Sequence, residues 1–80
     1  MAKRFLIVSK DQLKQLAFWE TLIDYSPIAY LNPGEKVELI SDRVYYGGIH
    51  GDKEYYKVNH SLHGVGYMLK AGLVGQNQNA

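Results

Sequence analysis

The length, composition and charge of this chain exclude several classes of protein. Its 80 residues form one domain, and a domain of this size buries only about 60% of the surface that its unfolded chain exposes. It has no cysteine, which excludes disulfides and thiolate-bound zinc and fits a reducing compartment. A content of 46% apolar and 21% charged residues predicts a globular chain. The net charge of +1 is too small to indicate nucleic acid or an anionic membrane as the partner.

The chain opens with a short apolar segment that predicts a strand over residues 4–8. The apolar run itself covers only residues 5–8 and stops at Ser9, whereas the apolar region of a signal peptide has about 7–15 residues. No stretch approaches the roughly 20 apolar residues of a membrane span. We therefore expect a cytoplasmic protein with no membrane partner.

A helix is predicted over residues 10–25. Ser9 is a suitable N-cap, and Gln12 three residues later completes a capping box. Apolar side chains recur at helical spacing and would form one stripe that packs on a sheet: they are Leu13, Leu16, Trp19 and Ile23. The helix would end at Ser26, because the residue before a proline avoids the helical region.

Short strands and turns fill the rest of the chain. An extended piece is predicted at residues 28–31, and strands at 36–41, 44–49, 54–59 and 65–70. Strands this short, separated by glycine-rich turns, indicate a small barrel or sandwich. Residues 1–74 would form the single domain, and the Gln/Asn-rich residues 75–80 a disordered tail. Side-chain alternation predicts a core of Val37, Leu39, Tyr56, Val58 and Met68.

Three short motifs within residues 31–74 resemble the bacterial SH3-like domains. They are Pro33-Gly34-Glu35, then Tyr55-Tyr56-Lys57-Val58, then Gly64-Val65-Gly66-Tyr67-Met68, with Leu73 after them. The resemblance implies an α+β, mainly β fold, in which four or five short antiparallel strands form an SH3-like barrel and the N-terminal helix packs on it. Two features depart from the family: Tyr55 stands where a tryptophan is usual, and the N-terminal strand and helix are additional. The acidic loop and paired tryptophans of eukaryotic SH3 domains are missing, so recognition of proline-rich peptides is not implied.

Seven tyrosines make this residue type the outlier of the composition. Alternation places Tyr55, Lys57 and Tyr67 on the outward face of their strands. Tyr45 and Tyr46 on the preceding strand would extend this partner-binding surface. Similar aromatic positions line the ligand groove of SH3-like barrels, and aromatic side chains with a polar tip are common binding anchors. The same tyrosines could instead lie beneath the predicted helix, and the sequence leaves both interpretations open.

No group of residues predicts catalysis or metal binding. His60 and His63 have a spacing that zinc sites use, and His50 could approach them across a hairpin, but all three fall in expected loops. A cysteine nucleophile and a Gly-x-Ser-x-Gly turn are both missing. The glycines at 47, 48 and 51 are flanked by expected strands, which indicates turns rather than a phosphate-binding loop. We therefore predict no enzyme activity, no metal and no cofactor.

The sequence favours a small protein-binding module that acts as an adaptor or as an inhibitor of a larger host enzyme. The alternative is a single-stranded nucleic-acid-binding protein that uses the Tyr/Lys face, since lysines and arginine cluster near the start of the chain. Acidic residues interleave with that cluster, so a solvated surface explains it as well. Cell-wall recognition, the usual role of secreted SH3-like domains, comes third because no signal peptide is visible. We expect a monomer or a weak homodimer.

Overall fold

Strands form nearly all of the regular structure. The computed structural model describes residues 3–10, 15–23, 25–47, 51 and 53–75. A five-stranded antiparallel sheet has the order β6-β5-β4-β1-β7, and β2 pairs with β3 in a second, two-stranded sheet. A 3₁₀ turn, Lys70–Gly72, precedes the last strand. The strands are β1 Arg4–Val8, β2 Leu16–Phe18, β3 Ala29–Leu31, β4 Lys36–Tyr46, β5 Glu54–His60, β6 Gly64–Leu69 and β7 Leu73–Gly75.

Two backbone contacts attach the small sheet to the large one. Trp19, which follows β2, pairs with Tyr67 of β6. Its N–H donates to the Tyr67 carbonyl at 2.9 Å, and the Tyr67 N–H donates back at 2.7 Å. The strands therefore surround one interior rather than two.

Every strand contributes at least one side chain to that interior. The buried cluster draws on alternate positions of each strand, as a sheet with one covered face requires. Phe18, Leu31, Val8, Val37, Val58 and Met68 are its most completely buried members. The predicted core positions 37, 39, 58 and 68 are confirmed as buried, and Tyr56 packs against them while partly exposed. Because the strands share this single core, the opposite face of each strand is the one that can contact other molecules.

The predicted helix over residues 10–25 is wrong, and with it the α+β fold of a four- or five-stranded barrel with a helix packed on it. The described residues form seven strands in two sheets and no α-helix. Residues 11–14 and 24 lie outside the described part of the chain, but residues 15–23 form β2, a bridge, a bend and a turn. Within them Leu16 and Phe18 are buried, while Ala17 and Trp19 are only half-buried. This burial has the two-residue period of a strand. Pairing with β3 and β6 and the strand preference of aromatic residues override the local capping signal.

The other predicted strands agree closely with the structure. β1 has the expected bounds, and β3 occupies the expected extended piece. The two strands expected at 36–41 and 44–49 form one long strand, β4, whose register against β5 shifts between Leu39 and Val44. This irregularity includes Asp42-Arg43, the gap between the two expected strands, and irregularities of this kind bend a strand locally. Residues 48 and 49 lie outside the described part of the chain.

The end of the chain differs in one respect from its prediction as a tail. Gly75, expected to be disordered, pairs with Leu6 as the last residue of β7, and residues 76–80 lie outside the described part. No helix in the described residues is long and apolar enough to span a membrane.

Candidate functional site

The outer face of the sheet, opposite the core, carries a group of aromatic and cationic side chains. Register places these side chains on one side, because directly opposed residues of an antiparallel pair share a face. Lys57 is opposite Tyr67, and Tyr67 is opposite Trp19. Tyr45 is opposite Tyr55, which shares the face of Lys57 two residues further along β5. We call the group Trp19, Arg43, Tyr45, Lys57 and Tyr67 the tyrosine face.

Tyr45 and Tyr67 form the centre of the tyrosine face. Their ring centroids are 5.3 Å apart and the ring planes meet at 74°, which is the edge-to-face geometry that aromatic pairs favour. The two residues come from β4 and β6, so their rings meet across the intervening strand β5. Both side chains are partly exposed. The pair is thus held in one arrangement while it remains accessible.

Arg43 extends the aromatic pair with a positive charge. Its guanidinium carbon lies 5.1 Å from the centroid of the Tyr45 ring, within the distance at which a cation is attracted to an aromatic face. Arg43 and Tyr45 are two residues apart on β4 and therefore lie on the same face. Arg43 is an exposed residue, so a partner can reach it.

Lys57 and Trp19 flank the aromatic pair on either side of Tyr67. Both side chains are partly buried and partly exposed. Asn59 lies two residues after Lys57 on β5 and therefore on the same face. Glu38 is directly opposite Asn59, so its carboxylate lies on this face as well. The tyrosine face therefore combines aromatic surface with two cations and is bordered by one acid.

Tyr55 does not have the exposure that the sequence predicted. It lies on the expected face of β5, but its side chain is only 3% exposed. Its cross-strand neighbours are Tyr45 on one side and Leu69 on the other, so it occupies the middle of a three-strand row. Burial raises the pKa of its phenol above the ordinary value. Tyr55 therefore packs between its neighbours within the tyrosine face and leaves almost no surface exposed.

Tyr46 lies on the other side of its strand from Tyr45. Adjacent residues of a strand point to opposite faces, and Tyr46 is opposite Glu54. Its hydroxyl donates to Glu54 Oε2 at 3.4 Å. Of the five residues predicted to bind a partner, the structure brings together Tyr45, Lys57 and Tyr67, buries Tyr55 and separates Tyr46.

Sequence reasoning missed two members of the tyrosine face. Trp19 was assigned to the apolar stripe of the predicted helix, and Arg43 to a turn. No local pattern identifies Trp19, because the four consecutive apolar residues from Leu16 to Trp19 fit a helix as well as a strand. To place Arg43 on this face one must know that β4 continues through its irregularity. The residues around Arg43 do not indicate that.

His60 and His63 lie beside each other, at the end of β5 and in the turn that follows it. His60 is buried, and its Nδ1 accepts hydrogen bonds from the backbone N–H groups of Leu62 at 3.1 Å and His63 at 3.3 Å. Nε2 therefore carries the proton in the neutral ring and donates to Glu35 Oε1 at 3.2 Å. The ring of His63 stacks on that of His60 with centroids 4.7 Å apart. His50 lies outside the described residues, among which no group of three or more His, Asp or Glu is placed to hold a metal ion.

The hydrogen bonds of the Glu35 carboxylate predict a small, measurable dependence of stability on pH. The Asn32 N–H donates to Glu35 Oε2 at 2.7 Å, and this bond, followed by those to His60, lowers the pKa of Glu35 below its ordinary 4.5 against the opposing effect of burial. The stabilisation is present above pH 4.5 and is lost as pH falls through the lowered pKa. The side chain is 34% exposed, so the effect is at most about 1 kcal/mol.

Urea unfolding of the wild type and of Glu35→Gln, from neutral pH to below pH 4.5, measures the contribution of the Glu35 carboxylate to the free energy of unfolding. The wild type should be the more stable protein at neutral pH, and the difference should shrink as the solution is acidified. Parallel stability curves for the two proteins would show that Glu35 has no such role. Because Gln keeps an oxygen that can accept from Asn32, the substitution changes mainly the charge.

No known protein family, curated protein or solved structure matches this chain.

Proposed function

We propose that this protein is a non-enzymatic binding module whose tyrosine face recognises a protein partner, as an adaptor or as an inhibitor of a larger enzyme. The observation that carries the proposal is the Tyr45–Tyr67 ring pair with Arg43 against it. Tyr, Trp and Arg are the residue types that dominate binding energy at protein interfaces. All three occur here on the outer side of a sheet whose other side is the core.

Preorganisation supports a protein partner. Binding costs free energy for every flexible side chain that must be ordered. The rings of Tyr45 and Tyr67 already contact each other, and the backbone of Trp19 is fixed by two hydrogen bonds to Tyr67. Little further ordering is needed when a partner covers these residues. The bacterial SH3-like resemblance of residues 31–74, which we retain as a proposal, supports a similar use of aromatic positions.

Binding of single-stranded nucleic acid is the second candidate, because Arg43 and Lys57 lie beside aromatic rings. Proteins of this kind stack bases on open ring faces along a positively charged groove. Arg43 covers one face of Tyr45, and the edge-to-face contact uses a ring face of the Tyr45–Tyr67 pair. The open stacking area is thereby reduced, and the net charge of the whole chain is only +1. These features favour protein over nucleic acid.

The cysteine-free composition supports a reducing, cytoplasmic setting for this function. We propose a monomer or weak homodimer as the working form.

Affinity capture from a host lysate, with and without nuclease, tests the proposal. We expect the wild-type bait to retain a protein after nuclease treatment and at raised salt, because an interface anchored by aromatic residues depends little on counterion release. A Tyr67→Ala bait should lose that protein, and a bait carrying Tyr25→Ala, a change at an exposed tyrosine that is not a member of the tyrosine face, should keep it.

The opposite pattern identifies the second candidate. Capture that disappears with nuclease, or that weakens steeply as salt rises, would indicate binding to phosphate groups. Equal retention by the wild-type and Tyr67→Ala baits would place the contact elsewhere on the protein and overturn the proposal.

A further inference from the structure

A cleft lined by residues outside the tyrosine face carries a second set of polar groups that the proposed function does not use. It has a volume of about 750 Å³ and is open on one side. Volumes of about 300–1,000 Å³ are usual for sites that bind small molecules. Its apolar wall consists of Leu69, Ala71 and Leu73, which lie on either side of and within the 3₁₀ turn. This wall suits the apolar part of a ligand.

The polar wall of the cleft contains two cations and one acid. Lys53, Glu54 and Lys70 line it, together with Tyr46. Glu54 is already engaged, since its Oε2 accepts from the Tyr46 hydroxyl at 3.4 Å and its Oε1 lies 3.8 Å from Lys70 Nζ. The formal charge of the wall is therefore positive, and its one acid already has two partners. A negatively charged ligand complements it.

Lys70 is the cation best placed to bind such a ligand. Its Nζ is 5.8 Å from the centroid of the Tyr56 ring, which holds the ammonium from one side. At 3.8 Å from Glu54 Oε1, it is an ion-pair neighbour of that carboxylate but too distant to donate a hydrogen bond to it. The side chain is 41% exposed. Its donors can therefore turn to a ligand without breaking an existing hydrogen bond to Glu54.

A second, smaller hollow of about 400 Å³ adjoins the first at Lys70 and Leu73. Lys70 thus stands between two concave surfaces, and a ligand held at its ammonium has room to extend in either direction. A bulky apolar group fits this space better than a small inorganic anion, which would leave the Leu69, Ala71 and Leu73 surface exposed to water.

We infer that this cleft binds a carboxylate carried on an apolar group, with Lys70 as the principal charged contact and the Leu69, Ala71 and Leu73 wall holding the apolar part. Two sources supply this chemistry: a free small carboxylic acid, and the C-terminal residue of a peptide. The inference is independent of the tyrosine face, which lies on other side chains.

Titration of the ¹⁵N-labelled protein with 3-phenylpropionate, followed by NMR, tests the inference. We expect saturable shifts of the amide signals of Glu54, Lys70 and Ala71, and at least a tenfold (about 1.4 kcal/mol) weaker response to the uncharged 3-phenylpropanamide. The dipeptide acetyl-Leu-Phe, with a free or an amidated C-terminus, distinguishes the two sources. Tighter binding of the free-acid peptide than of phenylpropionate indicates a chain terminus, and the reverse indicates a small acid.

Two variants locate the contact. Lys70→Gln should weaken binding of phenylpropionate by about tenfold, and Lys53→Gln should weaken it less. Lys36→Gln is the matched control, because Lys36 is an exposed lysine that also lies over an aromatic ring, that of Phe5 at 4.6 Å, but outside the cleft. Equal responses to the acid and the amide, unchanged affinity in Lys70→Gln, or shifts confined to the tyrosine face would each overturn the inference.

Discussion

Gly66→Ala should unfold the protein or destabilise it by about 3 kcal/mol or more, at the upper end of the costs of overpacking. A Cβ at this position would lie 2.5 Å from the Trp19 carbonyl oxygen and 2.5 Å from Cε1 of Phe18. Neither neighbour can move easily. The Trp19 oxygen accepts the Tyr67 N–H at 2.7 Å, and Phe18 is fully buried. The close approach at Gly66 is therefore a direct consequence of the segment around Trp19 lying as a strand against β6.

Thermal and urea unfolding of Gly66→Ala against Val65→Ala measures this effect. Val65 is the neighbouring residue on β6 and its side chain is exposed, so its substitution tests strand preference without a close contact. Val65→Ala should change stability by less than about 1 kcal/mol, the span of strand preferences. Similar stabilities for the two variants would mean that β2 and Trp19 do not lie over β6.

Phe18→Ala should destabilise the protein by about 3–5 kcal/mol, because it removes a large, fully buried ring. Phe18 is 0% exposed and is the largest of the completely buried side chains. Its ring also lies 6.1 Å from that of His60 and 5.8 Å from that of His63, centroid to centroid. Its loss leaves a cavity between β2 and the turn after β5. In a domain of this size the effect amounts to a large share of the total stability.

Ile23→Ala is the matched control for Phe18→Ala. Ile23 belonged to the apolar stripe of the predicted helix, but its side chain is 74% exposed in the structure. Its substitution should change the free energy of unfolding by no more than about 0.5 kcal/mol. If Ile23→Ala proved as damaging as Phe18→Ala, the helical arrangement of this segment would be favoured after all.

The first half of β4 and the part of β5 around Val58 were predictable because their side chains alternate between apolar and polar. Val37, Leu39 and Val58 are buried as the two-residue period requires. The segment from Leu16 to Trp19 was not predictable in this way. All four of its residues are apolar, so helical and strand periods both fit, and the capping residues Ser9 and Gln12 favoured the helix. Only pairing with distant strands resolves the choice, and that information is not local.

The tyrosine face was predicted in its orientation but not in its exposure. Alternation correctly placed Tyr55 and Tyr67 on one side of their strands, and the structure confirms that these strands are neighbours. Burial of Tyr55 depends on its position between Tyr45 and Leu69, which requires the register of three strands. Tyr46 was grouped with Tyr45, but two adjacent residues of one regular strand point to opposite faces, and the structure places Tyr46 opposite Glu54 instead.

The affinity of the captured partner for Tyr67→Ala and Tyr45→Ala, measured together with their melting temperatures, tests the central claim most directly. Each variant should lose about 1–3 kcal/mol of binding free energy, as interface anchors do. Each should remain clearly more stable than Tyr55→Ala, whose buried ring is part of the fold. Unchanged affinity in both variants, or melting temperatures as low as that of Tyr55→Ala, would contradict the assignment of the tyrosine face as the binding surface.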